Sequence, residues 1–391
     1  MFDSAGKGKM SFKIFLEKIL NSVKIKNDKI VFINLTKSTY GCSPKYIAEE
    51  ILKQNLPYEL VWLVRNPRKE KENFPDKIRL VRFSSIKALF ELSSAKFWVS
   101  NSRMNYYLKK GLIKKDGQIY IQTWHGSLGF KKIEKDIEHN MSYLNYLEVA
   151  QKDSKLIDYL LSPSCFDTEC LKKCFYYDGP ILEFGYPRND LFFYSDEKKM
   201  QIKNKVRKYY SIPDDKKILL YVPTFRDSHS MEQYNIDAEN LLSVLKEKFD
   251  SDWVILSRLH PNLLRKSKKL SQFLKRTINV TAYPDVQELS LASDILITDY
   301  SSVIWDFCLQ DKPAYIYATD VEEYTVERDF YIPIMQMPFV IAQNNGELLS
   351  GIADCNIEEY ILKQKEFIKN KKGHFAEGNV SEKIVDIIKK S

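Results

Sequence analysis

Short apolar, β-branched runs recur along this chain, and between them lie stretches whose apolar residues return every three or four positions. Ile30 to Leu35, Leu60 to Val64, Ile78 to Phe83, Phe97 to Asn101 and Ile119 to Thr123 form a first series of runs. Lys217 to Val222, Trp253 to Leu259, Ile278 to Val280, Ile295 to Ile297 and Ala314 to Tyr317 form a second. Runs this short and this apolar read as buried strands, while Tyr46 to Gln54 and Ala238 to Phe249 carry helical periodicity. Alternation of the two implies parallel sheets, because a parallel partner is reached only through a long crossover. The expected fold class is therefore α/β, with ligands at the carboxyl ends of the strands. A chain of 391 residues is long enough for two such halves, which meet near residues 185 to 195. The expected division is 1–188, 189–375 and a last helix over 376–391 packing back on the first half. Residues 1–28 are read as a loose, amphipathic start.

Composition narrows the function classes. With 44% hydrophobic and 13% aromatic residues, the chain is folded rather than disordered. Its net charge of +8 is spread as lysines along the whole length, which suits a solvated surface better than a nucleic-acid partner. A basic face still favours anionic substrates or an anionic membrane leaflet. The six cysteines contain no CxxC pair, so free thiols in a reducing compartment are expected rather than zinc or disulfides. No run approaches eighteen apolar residues and no secretory signal opens the sequence, which points to a cytoplasmic protein. From Ser11 to Val23 the apolar positions Phe12, Phe15, Leu16, Ile19, Leu20 and Val23 recur at helical spacing, with Lys13, Lys18 and the apolar Ile14 off that stripe. Such a helix either packs on its domain or lies on a membrane. An aromatic-rich region over Met141 to Leu160 is read as domain core, with an interfacial patch as the lesser alternative.

Neither half carries GxGxxG or GxxxxGK[ST], which argues against dinucleotide dehydrogenases and P-loop NTPases. With 13 glycines in all, phosphate contacts must come from side chains and helix N-termini instead. Four strand ends supply candidates. Trp124-His125-Gly126 follows the strand at Ile119, and a histidine there can take a proton from a hydroxyl near neutral pH. Its competitor is a structural, helix-capping histidine. Val222-Pro223-Thr224-Phe225-Arg226 ends a second strand; Thr224 and Arg226 are read as facing a ligand, unless Arg226 merely pairs with Asp227. Arg258-Leu259-His260-Pro261 ends a third, and Arg258 and His260 alternate so as to point the same way, toward a common ligand or solvent; side by side they suit a pyrophosphate leaving group, with a surface arginine and a strand-end histidine as the competing reading. Thr298-Asp299-Tyr300-Ser301-Ser302 ends a fourth and opens the apolar stretch Val303 to Leu309, combining hydroxyls with a helix N-terminus.

Taken in order with Gly185-Tyr186-Pro187-Arg188-Asn189-Asp190, Lys312-Pro313 and Arg328-Asp329-Phe330, these motifs resemble the CDP-glycerol glycerophosphotransferase family of teichoic-acid and capsule enzymes. The resemblance runs from about Phe97 to Tyr331. It implies a GT-B-like architecture, two Rossmann-like domains facing an interdomain cleft, with the acceptor served by the first and the CDP-polyol donor by the second. By the same resemblance His125 is the general base and His260 steadies the departing phosphate, with Arg258 beside it. Ser301 and Ser302 hold donor phosphate oxygens, Asp299 orients their turn or a donor hydroxyl, Thr224 and Arg226 count among the donor-binding residues, and Gly126, Arg188 and Asp190 belong to the cleft wall.

The implied reaction moves glycerol phosphate from CDP-glycerol to a hydroxyl of a cell-surface glycopolymer and releases CMP. CDP-ribitol or another CDP-polyol as donor is left open, and Ser127 to Lys132 departs from the usual teichoic-acid continuation after His125-Gly126. No acidic pair sits in a convincing metal-binding loop, so no metal and no tightly bound cofactor is expected; Mg²⁺ can accompany the donor diphosphate. The implied partners are the CDP-polyol, a lipid-linked or oligosaccharide acceptor and the cytoplasmic face of the membrane, but no nucleic acid. A nucleotide-sugar glycosyltransferase on the same scaffold and a non-catalytic subunit are the rival readings.

Overall fold

The computed structural model describes residues 14–139, 141–226, 232–259 and 275–391. His260, Pro261 and Asp227 lie outside the described residues. The chain divides into two compact units, one comprising Met1–His125, Ile133–Asp190 and Phe375–Ser391, the other Gly126–Lys132 and Leu191–His374.

The first unit is built on a seven-stranded sheet: β1 (Lys26–Ile33), β2 (Glu59–Val64), β3 (Ile78–Arg82), β4 (Ala95–Ser100), β5 (Ile119–Gln122), β6 (Tyr159–Leu161) and β7 (Ile181–Leu182). All strands are parallel, in the order β3-β2-β1-β4-β5-β6-β7. Val31, Phe32, Val61, Trp62, Trp98 and Val99 are completely buried, as strands covered on both faces require. Each such side chain contributes about 1.5–3 kcal/mol on leaving water. The strand order reverses between β1 and β4, so the connections leaving their carboxyl ends diverge and leave a crevice there.

Residues 375–391 cluster with this unit, and their helix Val380–Lys390 lies along helix Cys42–Lys53. The helix has no cap from its own Asn379 side chain. Instead Asp190, buried and far away in sequence, accepts from the backbone N–H groups of Val380 (3.1 Å) and Ser381 (2.7 Å). That placement corrects the expected role of Asp190 as a cleft residue, since both carboxylate oxygens are taken by the helix N-terminus. Arg188 is likewise buried, its guanidinium 4.3 Å from the Tyr186 ring and 3.9 Å from Cys42 Sγ. In the first described helix, over residues 14–22, Leu16 and Leu20 are buried while Ile14 and Phe15 stay exposed.

The second unit repeats the plan with six parallel strands: β8 (Lys217–Val222), β9 (Trp253–Ser257), β10 (Thr277–Asn279), β11 (Ile295–Thr298), β12 (Ala314–Tyr317) and β13 (Ile341–Ala342). Their order is β10-β9-β8-β11-β12-β13, with the reversal between β8 and β11. Helix Ala238–Phe249 begins where Asp237 accepts from Asn240 N–H at 3.2 Å, and buries Leu241 and Leu245 against Leu219, Ile255 and Ile297.

Residues 126–132 belong to this unit although they sit in the middle of the first one's sequence. They run antiparallel to 329–332: Lys132 N–H donates to Asp329 O (3.1 Å), Tyr331 N–H to Phe130 O (2.9 Å) and Ile332 N–H to Gly129 O (2.8 Å). Gly129 is required there, because its φ is +151° and a Cβ would stand 2.7 Å from the Trp305 ring. The sequence pattern did not mark this excursion.

Asp190→Ala removes the cap of the last helix. It is expected to lower unfolding free energy by about 1–2 kcal/mol in urea titration and to increase amide exchange first across Val380–Lys390.

Candidate active site

In the first unit the candidate base sits just beyond β5. Gln122, the last residue of that strand, is buried, and its side-chain oxygen accepts from Trp124 N–H at 3.0 Å. This holds Trp124 at a φ of +51°, a conformation that costs a bulky residue about 1–3 kcal/mol and persists only where surroundings impose it. The Trp124 ring packs edge-on to Phe175 (4.9 Å between centroids) and lies 4.3 Å from the His125 ring. The strained residue thereby turns His125 out of the strand line.

His125 Nδ1 is 2.7 Å from the backbone carbonyl of Asn101, at the end of β4. A carbonyl can only accept, so Nδ1 carries the proton in the neutral ring and Nε2 keeps the lone pair. Asn101 is in turn held by its neighbours: its side-chain oxygen accepts from Leu35 N–H (2.7 Å) and its amide donates to Asn34 (3.2 Å). Half-exposed, His125 borders a cavity of about 320 Å³ at the carboxyl edge of the sheet. Lys37, Phe83, Arg103, Asn105, Tyr106 and Tyr146 also line it.

Arg103 is buried and bonded to Asp153 (3.0 Å) and Glu134 (3.2 Å), with its guanidinium 3.7 Å from the Phe175 ring. Burial opposes its charge, but the two carboxylates outweigh that and raise its pKa. Asp153 shifts upward, through burial first, although Arg103 and the Met104 N–H hold it back. Tyr146 closes the group by donating to Glu134 at 2.6 Å. None of Arg103, Glu134, Asp153 and Lys37 was singled out by sequence motif. The polar run Ser100 to Arg103 at a strand end was the available signal.

In the second unit the centre is Asp299, buried at the end of β11. Its carboxylate accepts from Thr224 N–H (2.9 Å), Thr224 hydroxyl (3.1 Å) and Tyr300 N–H (2.6 Å), and pairs with Arg226 at 3.0 Å. Asp299 therefore ties together the turns after β8 and β11. Arg226 is buried and also engages both oxygens of Asp320 (2.6 and 3.0 Å), beside the stacked rings of Tyr300 and Tyr324 at 4.7 Å from each. This corrects the expectation of Arg226 as a ligand-facing donor: both sides of its guanidinium are committed to internal carboxylates. Thr224 is similarly occupied with Asp299. Burial works against the Arg226 charge, but Asp299 and Asp320 raise its pKa beyond the usual value. Burial alone would raise Asp320, yet Arg226 holds it below the ordinary carboxylate range.

Ser301 and Ser302 are half-exposed at the start of a helix that is α-helical only over Val303–Phe307. So short a helix lends little dipole, which leaves the hydroxyls and backbone N–H groups as the donors. Gly126 lies against Ser302: a Cβ on it would stand 2.7 Å from Ser302 Oγ. Because Gly126 follows His125 directly, the peptide bond between them is one of the two points at which the chain passes from the first unit to the second. Arg258, expected beside a ligand, donates through Nη1 to the carbonyl of Tyr283 (2.6 Å), a position that braces the turn after β10.

A model of the family described as CDP-Glycerol:Poly(glycerophosphate) glycerophosphotransferase matches residues 15–390. The chain is 34% identical to a teichoic acid poly(glycerol phosphate) polymerase of Staphylococcus epidermidis over 320 residues, covering 80% of this chain and 43% of that one. It is 32% identical over 388 residues to a teichoic acid glycerol-phosphate transferase of Staphylococcus aureus, covering 95% of each. Thus it spans less than half of the first relative's length but nearly all of the second's. Among solved structures it superposes on the wall teichoic acid polymerase TagF with a TM-score of 0.84 at 30% identity, covering 100% of this chain and 98% of that one. The same polymerase soaked with CDPG superposes at 0.83.

The Asp320 carboxylate gives the second unit a testable pH dependence. Its pKa is depressed in the folded state, so its stabilisation is complete above the unfolded value near 3.9 and fades as pH falls through the lower folded value. Asp320→Asn is expected to unfold at lower denaturant than the parent at pH 7, with the gap narrowing below about pH 4.

Proposed function

The chain belongs to the CDP-glycerol:poly(glycerophosphate) glycerophosphotransferase family, and on that premise we propose that it transfers glycerol phosphate from CDP-glycerol to a hydroxyl of a teichoic-acid acceptor, releasing CMP. The observation that carries this reading is the bond from His125 Nδ1 to Asn101 O at 2.7 Å. It presents Nε2 as the proton acceptor, in a ring borne on a fixed strand end beside a cavity of about 320 Å³.

In the proposed step Nε2 takes the proton of the acceptor hydroxyl as its oxygen bonds to the glycerol-bearing phosphorus. The bond from that phosphorus to the bridging oxygen breaks, and its electron pair leaves with CMP. Charge must be neutralised on both phosphates while attacking and leaving oxygens stay in line. Ser301, Ser302 and the backbone N–H groups of their turn are assigned the donor oxygens. His260 is assigned the leaving phosphate by its motif alone. Asp299, Thr224 and Arg226 act as positioning residues for that turn. We assign no resident metal: Mg²⁺ enters as the partner of the donor diphosphate. Among the described residues no group of three or more His, Cys, Asp or Glu side chains converges as a metal site does.

We further propose that the protein works at the cytoplasmic face of the membrane as a peripheral protein. No helix among the described residues is long and apolar enough to cross a membrane. Support for surface contact comes from Ile14 and Phe15, 48% and 60% exposed beside Lys18 on the first described helix.

With CDP-glycerol and a teichoic-acid acceptor extract, the purified protein is expected to release CMP, and His125→Ala to slow release by about 10²–10⁴-fold. Equal CMP release by His125→Ala, or a nucleoside diphosphate product, overturns the assignment. Ile14→Ser with Phe15→Ser is expected to reduce co-sedimentation with vesicles containing anionic lipid, at unchanged activity on a soluble acceptor.

A further inference from the structure

Arg103 is a cation on the cavity wall that the transfer step does not use. Its side chain is only 3% exposed. Nη1 donates to Asp153 (3.0 Å) and to the Ser154 hydroxyl (2.8 Å). Nη2 donates to the backbone carbonyl of Phe175 (3.3 Å), and Nε to Glu134 (3.5 Å). The second Glu134 oxygen lies 3.2 Å from Nη2 without a hydrogen bond, held by charge. Every nitrogen of the guanidinium is therefore engaged inside the first unit, and its place on the cavity wall does not make it a ligand contact.

What Arg103 reaches is the base of the excursion over residues 126–132. Trp124 lies just before it and Glu134 just after it, and both have a positive φ, +51° and +54°. Neither residue type favours that region, so the surroundings must impose it. For Glu134 the cause is direct: its buried carboxylate is drawn to Arg103, and Tyr146 donates to it at 2.6 Å. For Trp124 the link runs through Phe175. The guanidinium stands 3.7 Å from the centre of the Phe175 ring, which meets the Trp124 ring edge-on at 4.9 Å between centroids. His125 follows Trp124, with the two rings 4.3 Å apart. One side chain thus fixes both the point where the chain leaves the first unit and the point where it returns.

We propose that Arg103 is a positioning residue for His125: by clamping both ends of the excursion it keeps Trp124 in its strained conformation, and Trp124 keeps the His125 ring on the Asn101 carbonyl. The inference rests on the transferase reading for what His125 does, but not for how Arg103 holds it. An arginine suits the task because its planar fork bridges two carboxylates and lies flat on an aromatic ring. Lysine keeps the charge and does neither.

The tautomer of His125 reads this directly. In nitrogen NMR of the histidine-labelled parent at alkaline pH, the His125 signals, assigned by their loss in His125→Ala, are expected to show the Nδ1–H tautomer alone. Arg103→Lys and Phe175→Leu are each expected to show a mixture of the two tautomers. Both variants should lower kcat for CMP release about 10–100-fold, the scale of a reacting group displaced by about an ångström. KM for CDP-glycerol should move less than about twofold. Added to His125→Ala, Arg103→Lys should cost less than about a further twofold, since its effect passes through that ring. A single Nδ1–H tautomer in both variants, or a loss that returns at full size in His125→Ala, overturns the positioning role and leaves Arg103 a structural residue. Failure of the parent to release CMP from CDP-glycerol with a teichoic-acid acceptor overturns the transferase reading alone, because the tautomer is read without turnover.

Discussion

A buried carboxylate organises the second unit. Asp299 sits where burying an unpaired charge would cost several kcal/mol, and its environment answers with two backbone N–H groups, a hydroxyl and a guanidinium. These partners come from the ends of both β8 and β11, the strands flanking the reversal of order. Satisfying one anion thus fastens the two turns that a ligand at this edge would meet. The Arg226 charge that balances Asp299 is fixed in its turn by Asp320 and by Tyr300, whose hydroxyl donates to Asp320 at 2.9 Å. Few glycines are needed in a turn held by side chains in this manner.

The first unit solves the same problem with different residues. Strain at Trp124 turns the chain, Gln122 and Phe175 hold the strained residue, and the Asn101 carbonyl selects the tautomer of His125. Behind this lies Arg103 with its two buried carboxylates. In both units the charged network sits one layer behind the turn it supports. The charges of each network are paired internally, which keeps its own groups from competing with the ligand.

The sequence carried the architecture because fully buried parallel strands leave a simple trace. Ten of the runs correspond to β1 to β5 and β8 to β12, and Ala238–Phe249 was legible to the residue. Three strands left no trace: β6, β7 and β13 have three, two and two residues, too few for any periodicity, and β6 lay within a stretch read as aromatic core. Strand-end motifs correctly marked where polar residues gather. What a motif cannot reveal is which way a polar residue faces. Asp190 and Arg226 look like ligand contacts in one dimension, yet one caps a helix 190 residues away and the other is shared between two carboxylates. Lys37 and Asn105 went unmarked for the opposite reason: unremarkable in sequence, they meet only on the wall of the cavity beside His125.

The internal commitment of Arg226 also bears on how the donor's charge is met. Arg226, Asp299 and Asp320 together carry one positive and two negative formal charges, so this cluster offers a diphosphate no net attraction. Its contribution to the proposed transfer is stiffness: donors on the Tyr300–Ser302 turn are held before a ligand arrives, so no reorganisation would be needed when charge moves to the leaving group. Attraction must then come from groups outside the cluster and from the general basicity of the chain, whose net charge is +8. In the proposed transfer, separating the residues that position from those that attract would let a buried arginine serve phosphate chemistry without touching a phosphate.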